Sequence, residues 1–184
     1  MTAMAEKSLL LHICCGPCAL YPVERLRQEG FRVVGLFSNP NIHPLQEYLK
    51  RKQAVLAAAE TLELELIVKD EDYDPQAFMR RIAFREEQRC FFCYQMRLER
   101  TLSIARRGGF DAFSTSLLYS KRQNHERIAD LGQAVAGGGQ TGFVYRDFRT
   151  GWQEGIERSK SLGLYRQQYC GCLLSEFERF KGQL

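Results

Sequence analysis

The chain has 184 residues, 45% of them hydrophobic and 26% charged, with a formal net charge of +4. That is one domain with room for a real core, and the mixed composition excludes a repetitive or low-complexity chain. The charge is too small to decide a partner alone, although its basic side is mostly arginine, which suits bidentate contact with phosphate.

Taken in order, residues 8–13 form an apolar run that reads as a buried strand. Residues 18–29 read as a helix that stops at Gly30. Residues 31–37 are a second strand, with a proline-bounded loop at 38–44 beyond its carboxyl end. Residues 45–62 are an alanine-rich helix. Residues 64–68 are a third strand, ending in an acidic loop at 70–74. The helical region 75–107 breaks near Arg89 and ends at Gly108-Gly109. Residues 111–117 are a fourth strand, 124–136 a helix closed by three glycines, and 143–145 a short fifth strand. Residues 151–180 are loop and helix. Strands alternating with helices imply βαβ units and a parallel sheet covered on both faces. Right-handed crossovers narrow this to a Rossmann-like, doubly wound, five-stranded α/β sheet of order 3-2-1-4-5. Residues 1–184 are expected to be a single domain with a C-terminal helical and loop segment. No apolar run approaches the length of a membrane span, and the start lacks the layout of a signal peptide, so a cytoplasmic location and no membrane partner are expected.

The seven cysteines fall in three short clusters. His12-Ile13-Cys14-Cys15-Gly16-Pro17-Cys18 stands on the turn leaving strand one, Cys90-x-x-Cys93 at a helix start, and Cys170-x-Cys172 near the end. An odd number cannot all pair within one chain. In a reducing compartment, closely spaced cysteines are more often metal-binding or catalytic than structural. Thiolates suit zinc, copper(I) and iron–sulfur clusters. The first cluster sits where open parallel sheets bind their ligands, beyond the carboxyl ends of the strands. Related ATP-binding sheets carry a glycine-rich phosphate loop there; none stands here, so no nucleotide cofactor is expected. Seven thiols exceed one mononuclear site, and a four-iron cluster would leave three over. The vicinal Cys14 and Cys15 are expected to point apart and so to serve two adjacent centres. Arg89 and Arg97 would favour thiolates at Cys90 and Cys93.

Other candidates carry two readings each. His12 is a proton donor or a satisfied histidine behind the metal. His43 is a ligand or a loop anchor. His125 is placed on the first turn of its helix. Asp70, Asp72 and Asp74 include a general acid or form a solvated loop. Tyr119, Ser120 and Lys121 face the same sheet edge, and Tyr165-Arg166-Gln167 leads into Cys170. Phe91 and Phe92 shield a cluster or belong to the core.

His12-x-Cys-Cys-Gly-Pro-Cys18, Asp72-Tyr-Asp74, Arg89-Cys-x-x-Cys-Tyr94 followed by Arg97-Leu98, Ser114-Thr-Ser-Leu117 and Tyr165-Arg-Gln-x-Tyr-Cys-Gly-Cys172 resemble the cobalamin-independent, metal-dependent epoxyqueuosine reductases of the QueH family. The likeness runs over nearly the whole chain. Ser120-Lys121-Arg122 departs from it, since a proline is expected after the serine. The resemblance implies reduction of the epoxide of epoxyqueuosine to the alkene, with loss of water, at the wobble position of tRNAs with a G-U-N anticodon. It also implies a [4Fe-4S] cluster, one additional iron ion, a sheet like that of nucleotide α-hydrolases and an external electron donor. Ligand arithmetic then gives the cluster Cys90, Cys93, one of Cys14 and Cys15, and one of Cys170 and Cys172, with Cys14 and Cys170 as the working choice. Cys15, Cys18 and Cys172 remain for the catalytic iron, which needs an open position, and Asp72 is the expected acid. Arg81, Arg85, Arg122, Arg146 and Arg149 are expected to meet tRNA. The competing readings are a heterodisulfide-reductase-like electron-transfer module and a zinc-stabilised RNA-binding domain.

Overall fold

The computed structural model describes residues 6–184. Five strands, β1 (Lys7–His12), β2 (Phe31–Phe37), β3 (Leu66–Val68), β4 (Ala112–Thr115) and β5 (Gly142–Phe143), form one parallel sheet ordered β3-β2-β1-β4-β5, as the alternation of elements predicts. Leu9, Leu10 and Leu11 of β1 are wholly buried, because a central parallel strand is covered on both faces and reads as a continuous apolar run.

Among the described residues seven α-helices complete the fold: α1 (Pro17–Gln28), α2 (Leu45–Thr61), α3 (Pro75–Ile82), α4 (Arg89–Arg107), α5 (His125–Ala136), α6 (Trp152–Ser161) and α7 (Leu173–Phe180). α1 packs against α2 and α6, while α4 packs against α5, β1 and β4. Right-handed crossovers place these two sets on opposite faces of the sheet. No helix among the described residues is long and apolar enough to cross a membrane.

The differences from the expected boundaries have local causes. β3 begins two residues late because Glu63, at φ +46°, still turns the chain after α2. β4 stops at Thr115, whose Oγ accepts from the Leu117 amide at 3.2 Å and starts a 3-10 turn over Ser116–Tyr119. The break before Arg89 is a short segment with Phe84 at φ +60°, and α4 begins at Arg89. Asp74 caps α3 through the Ala77 amide at 2.9 Å, and Asn124 caps α5 through the Arg127 amide at 3.0 Å.

Gly16 is required for space rather than for backbone freedom. Its φ of −58° is ordinary, but a Cβ there would lie 2.3 Å from the Ala54 carbonyl oxygen of α2. The first turn of α1 is thus pressed against α2, and Pro17 starts the helix where no amide donor is needed. This fixes the turn that carries the first three thiols.

Candidate metal centre and its cavity

Cys14 and Cys15 lie in the turn between β1 and α1, and Cys18 lies in the first turn of α1. Their three sulfurs all lie within 4.8 Å of one another, and Cys14 Sγ is 3.9 Å from Cys15 Sγ. A tetrahedral ion with metal–sulfur bonds of about 2.3 Å holds its sulfurs about 3.8 Å apart, so this spacing fits one ion. All three thiols are buried. The expectation that Cys14 and Cys15 point apart is therefore corrected: both sulfurs face one point, with Cys18 as the third donor. Among the described residues no other three such ligands come so close together.

The thiols titrate as a set. Hydrogen bonds from Cys15 and Cys18 hold Cys14 well below the usual thiol range, against the opposing effect of burial. Burial, and then the bond to Cys14, pushes Cys15 up, while the bond to Cys14 is the main cause of the upward shift of Cys18. Three buried thiols that hydrogen-bond to one another are a set of donors for which a cation is the natural replacement of their protons. Gln167 Nε2 donates to Cys15 Sγ at 3.0 Å.

The other four cysteines surround a second place. Cys93 and Cys172 are buried in one apolar group with Phe78 and Ile82, and Cys90 and Cys170 stand at its exposed side. Burial, then the charge of Cys170, raises Cys90; burial raises Cys93 to about 12, with Cys170 and Cys172 adding to it. Arg97, only 2% exposed, donates from Nη2 to Cys93 Sγ at 2.9 Å and from Nε to the Cys93 carbonyl at 3.0 Å. Among the described residues it makes no ion pair with a carboxylate, and the charges that it meets are those of Cys93, Cys170 and Cys14. A buried guanidinium with thiols in place of carboxylates marks a pocket built for thiolate charge. Gln123 donates from Nε2 to Cys170 Sγ at 3.1 Å while its Oε1 accepts from the Tyr94 hydroxyl at 2.7 Å, which fixes the orientation of the amide.

The loop carrying Cys170 is pinned from α2. Arg51, paired with Glu47 at 2.7 Å, donates to the carbonyls of Cys170 at 2.8 Å and Tyr169 at 2.9 Å. The Tyr169 hydroxyl binds the His43 carbonyl, and the His43 amide donates to the Gly171 carbonyl at 2.8 Å. His43 is thereby a loop anchor.

A cavity of about 300 Å³ opens where the two thiol groups meet, with Cys14, Cys18 and Cys170 in its lining. Among the described residues no carboxylate and no histidine lines it. Asp72, the expected acid, is elsewhere: its carboxylate accepts from Ser38 at 2.6 Å and from two Arg100 nitrogens at 2.7 and 2.6 Å. Three donors hold it as a structural anchor, and Asp70 is likewise bound by Tyr48 and Lys52. Of the arginines expected to meet tRNA, Arg81 pairs with Glu99, Arg146 with Glu29 and Arg149 with Asp147. Arg85 lies over the Phe92 ring, and only Arg122 lines the cavity. Gln123 and Arg179, which also line it, carry no sequence signal, because their loop and helix reach the cavity only through packing.

His12 is wholly buried behind the first thiols. Asn39 donates from Nδ2 to the Ile13 carbonyl at 2.9 Å, so its Oδ1, 3.1 Å from His12 Nε2, is an acceptor. His12 is thus the Nε2–H tautomer, and Nδ1 accepts from the Thr115 hydroxyl at 2.9 Å. The network ties the carboxyl ends of β1, β2 and β4 together. Burial, then the charge of Arg97, lowers the His12 pKa to about 4. The folded state therefore binds this proton less readily than the unfolded chain, and stability present above the ordinary value of 6.5 is lost as pH falls through about 4. Between about pH 7.5 and 5 the loss from this group is expected to be about 2 kcal/mol. Denaturant midpoints of wild type and His12→Gln check this: the variant starts less stable but should show a flatter pH dependence. Equal slopes would exclude His12 as the titrating group.

Comparison with known sequences gives the chain's relatives. The sequence model of the family described as Epoxyqueuosine reductase QueH matches residues 9–178. A protein of Dehalococcoides mccartyi named epoxyqueuosine reductase QueH is 37% identical over 177 residues, covering 96% of this chain and 96% of its own. A protein of the same name from Thermotoga maritima is 36% identical over 182 residues, covering 94% of this chain and 92% of its own. One from Acinetobacter baylyi is 37% identical over 178 residues, covering 91% and 79%.

Proposed function

The chain belongs to the epoxyqueuosine reductase QueH family, and we propose that it converts epoxyqueuosine to queuosine at the wobble position of tRNAs with a G-U-N anticodon, in the cytoplasm. The observation that carries this reading is the cavity, lined by the buried Cys14 and Cys18 of one thiol group and by the exposed Cys170 of the other. Family membership favours it over an electron-transfer module or a zinc-stabilised RNA-binding domain.

The reaction takes an epoxide, two electrons and two protons to an alkene and water. The donor set fits the metals that the family resemblance implies. Cys14, Cys15 and Cys18, at the spacing of a single ion, would hold the additional iron. Cys90, Cys93, Cys170 and Cys172, which stand further apart around one place, would hold the [4Fe-4S] cluster. This regroups the assignment expected from sequence: Cys14 moves to the iron and Cys172 to the cluster. When bound, these groups supply electrons singly from an external donor and Lewis acidity toward the epoxide oxygen. The protein's own part is positional. Arg97 offsets the thiolate charge between the two groups, and Gln167 and Gln123 orient Cys15 and Cys170. With no carboxyl or imidazole among the described lining residues, the hydroxyl of Ser120 is the protein group at hand to relay protons from solvent.

The test is nucleoside analysis of tRNA carrying epoxyqueuosine after anaerobic incubation with metal-loaded, chemically reduced protein. Queuosine should replace epoxyqueuosine. An unchanged epoxyqueuosine peak with fully loaded protein would exclude this function.

A further inference from the structure

The wall and mouth of the cavity are as distinctive as its floor. Trp152, at the start of α6, lines it with one face stacked on Tyr119, centroids 5.1 Å apart and planes at 30°. Tyr119 is only 1% exposed and is held by its hydrogen bond to the Trp152 carbonyl at 3.0 Å. It is also pressed against α6 so closely that a Cβ on Gly155 would lie 2.2 Å from its hydroxyl. The indole therefore has a rigid backing and cannot retreat. The ammonium of Lys121, an exposed residue, rests 5.9 Å from the indole centroid.

Arg122, Arg166 and Arg179 line the same cavity, and they come from three different segments. Among the described residues none of the three makes an ion pair. Arg81, Arg146 and Arg149, by contrast, are taken up by Glu99, Glu29 and Asp147. Three guanidiniums with no carboxylate among them, Arg179 also lying over the Phe180 ring at 5.7 Å, are a site for an anion with several charges. A cavity of about 300 Å³ holds one base-sized ligand and no duplex. Enzymes that act on a base inside a strand must take that base out of its stack.

We infer that Trp152, backed by Tyr119, is the platform on which the extruded wobble base stacks, and that Arg122, Arg166 and Arg179 clamp the phosphates on either side of it. This rests on the proposed tRNA function and assigns its substrate-binding residues. Stacking on the indole and pairing of the flanking phosphates would aim the base's substituent at the thiol floor. Sequence-independent stacking and phosphate contacts are the usual means of gripping an unpaired nucleotide.

Trp152 is the only tryptophan in the chain, so its emission reports on this step directly. The experiment titrates metal-loaded protein with a synthetic G-U-N anticodon hairpin, following both Trp152 emission and the anisotropy of labelled RNA. A second hairpin carries an abasic site at the wobble position. The intact hairpin should quench Trp152 with the same midpoint as the anisotropy change, and the abasic hairpin should bind without quenching. Trp152→Ala should weaken binding of the intact hairpin about ten-fold or more, and Trp152→Phe less. Arg166→Gln, Arg122→Gln and Arg179→Gln should each weaken both hairpins and lower the slope of log affinity against log salt by about 0.7. Binding and turnover by wild type with no change in Trp152 emission, or equal quenching by the abasic hairpin, would overturn this inference and leave the tRNA reductase function intact. No binding of either hairpin, together with no turnover, would overturn both.

Discussion

Cys18→Ala protein is expected to remain brown, to keep its acid-labile sulfide, and to lose one iron and nearly all turnover. The expectation follows from where the sulfurs stand. Cys18 converges with Cys14 and Cys15 within 4.8 Å, on the first turn of a helix fixed by the contact of Gly16 with α2. Removing it leaves two thiolates, too few to hold a single ion firmly. Loss of a Lewis acid worth several kcal/mol to the reaction should lower turnover by about 10³-fold or more. The four cysteines of the second group are not touched by this change. Cys93→Ala should do the opposite and bleach the protein, since it removes a ligand of the proposed cluster and leaves the buried Arg97 without its sulfur partner. Iron and sulfide analysis beside the visible spectrum separates the two outcomes. Equal iron and sulfide in fully loaded wild type, with Cys18→Ala fully active, would show that the second centre does not exist.

The order of the sheet was legible because its elements are locally self-consistent: apolar runs of strand length, helical stretches between them, and glycines where they end. The grouping of the thiols was not. Side chains of neighbouring residues diverge along a strand, which argues for sharing Cys14 and Cys15 between centres. Both residues lie beyond the end of β1, in a turn already bending toward α1, where Gly16 has helical dihedrals and the alternation no longer holds. The place of Asp72 was not legible for a different reason. Its partner Arg100 is 28 residues away on another helix, and no spacing rule links a strand-end loop to that face of α4. The arginines show the same limit. Arg146 and Arg149 stand near the right edge in sequence but are consumed by Glu29 and Asp147. Arg166 and Arg179 meet Arg122 only once the loop after α6 and helix α7 have folded over the cavity.

Arg97→Met should move the stability of the metal-free and the metal-loaded protein in opposite directions. In the metal-free state Cys93, raised to about 12 by burial, is a neutral thiol near pH 7, so the buried guanidinium has no charge on the sulfur that it touches. Methionine fills most of the same space with no charge to desolvate, and such a replacement is neutral or stabilising by about 1–4 kcal/mol. In the loaded state the same sulfurs are thiolates. Removing their cationic partner then breaks a buried charge pair, which costs about 3–5 kcal/mol. The loaded variant should also be harder to reduce, because a cationic hydrogen-bond donor to a cluster sulfur raises its potential. Denaturant midpoints with and without chelation, together with a redox titration, check all three statements. Equal destabilisation of both forms with an unchanged potential would reduce Arg97 to a packing residue. Arg97→Lys keeps the charge but cannot reach both the sulfur and the carbonyl of Cys93 from one planar group, so it should fall between wild type and Arg97→Met in every measurement.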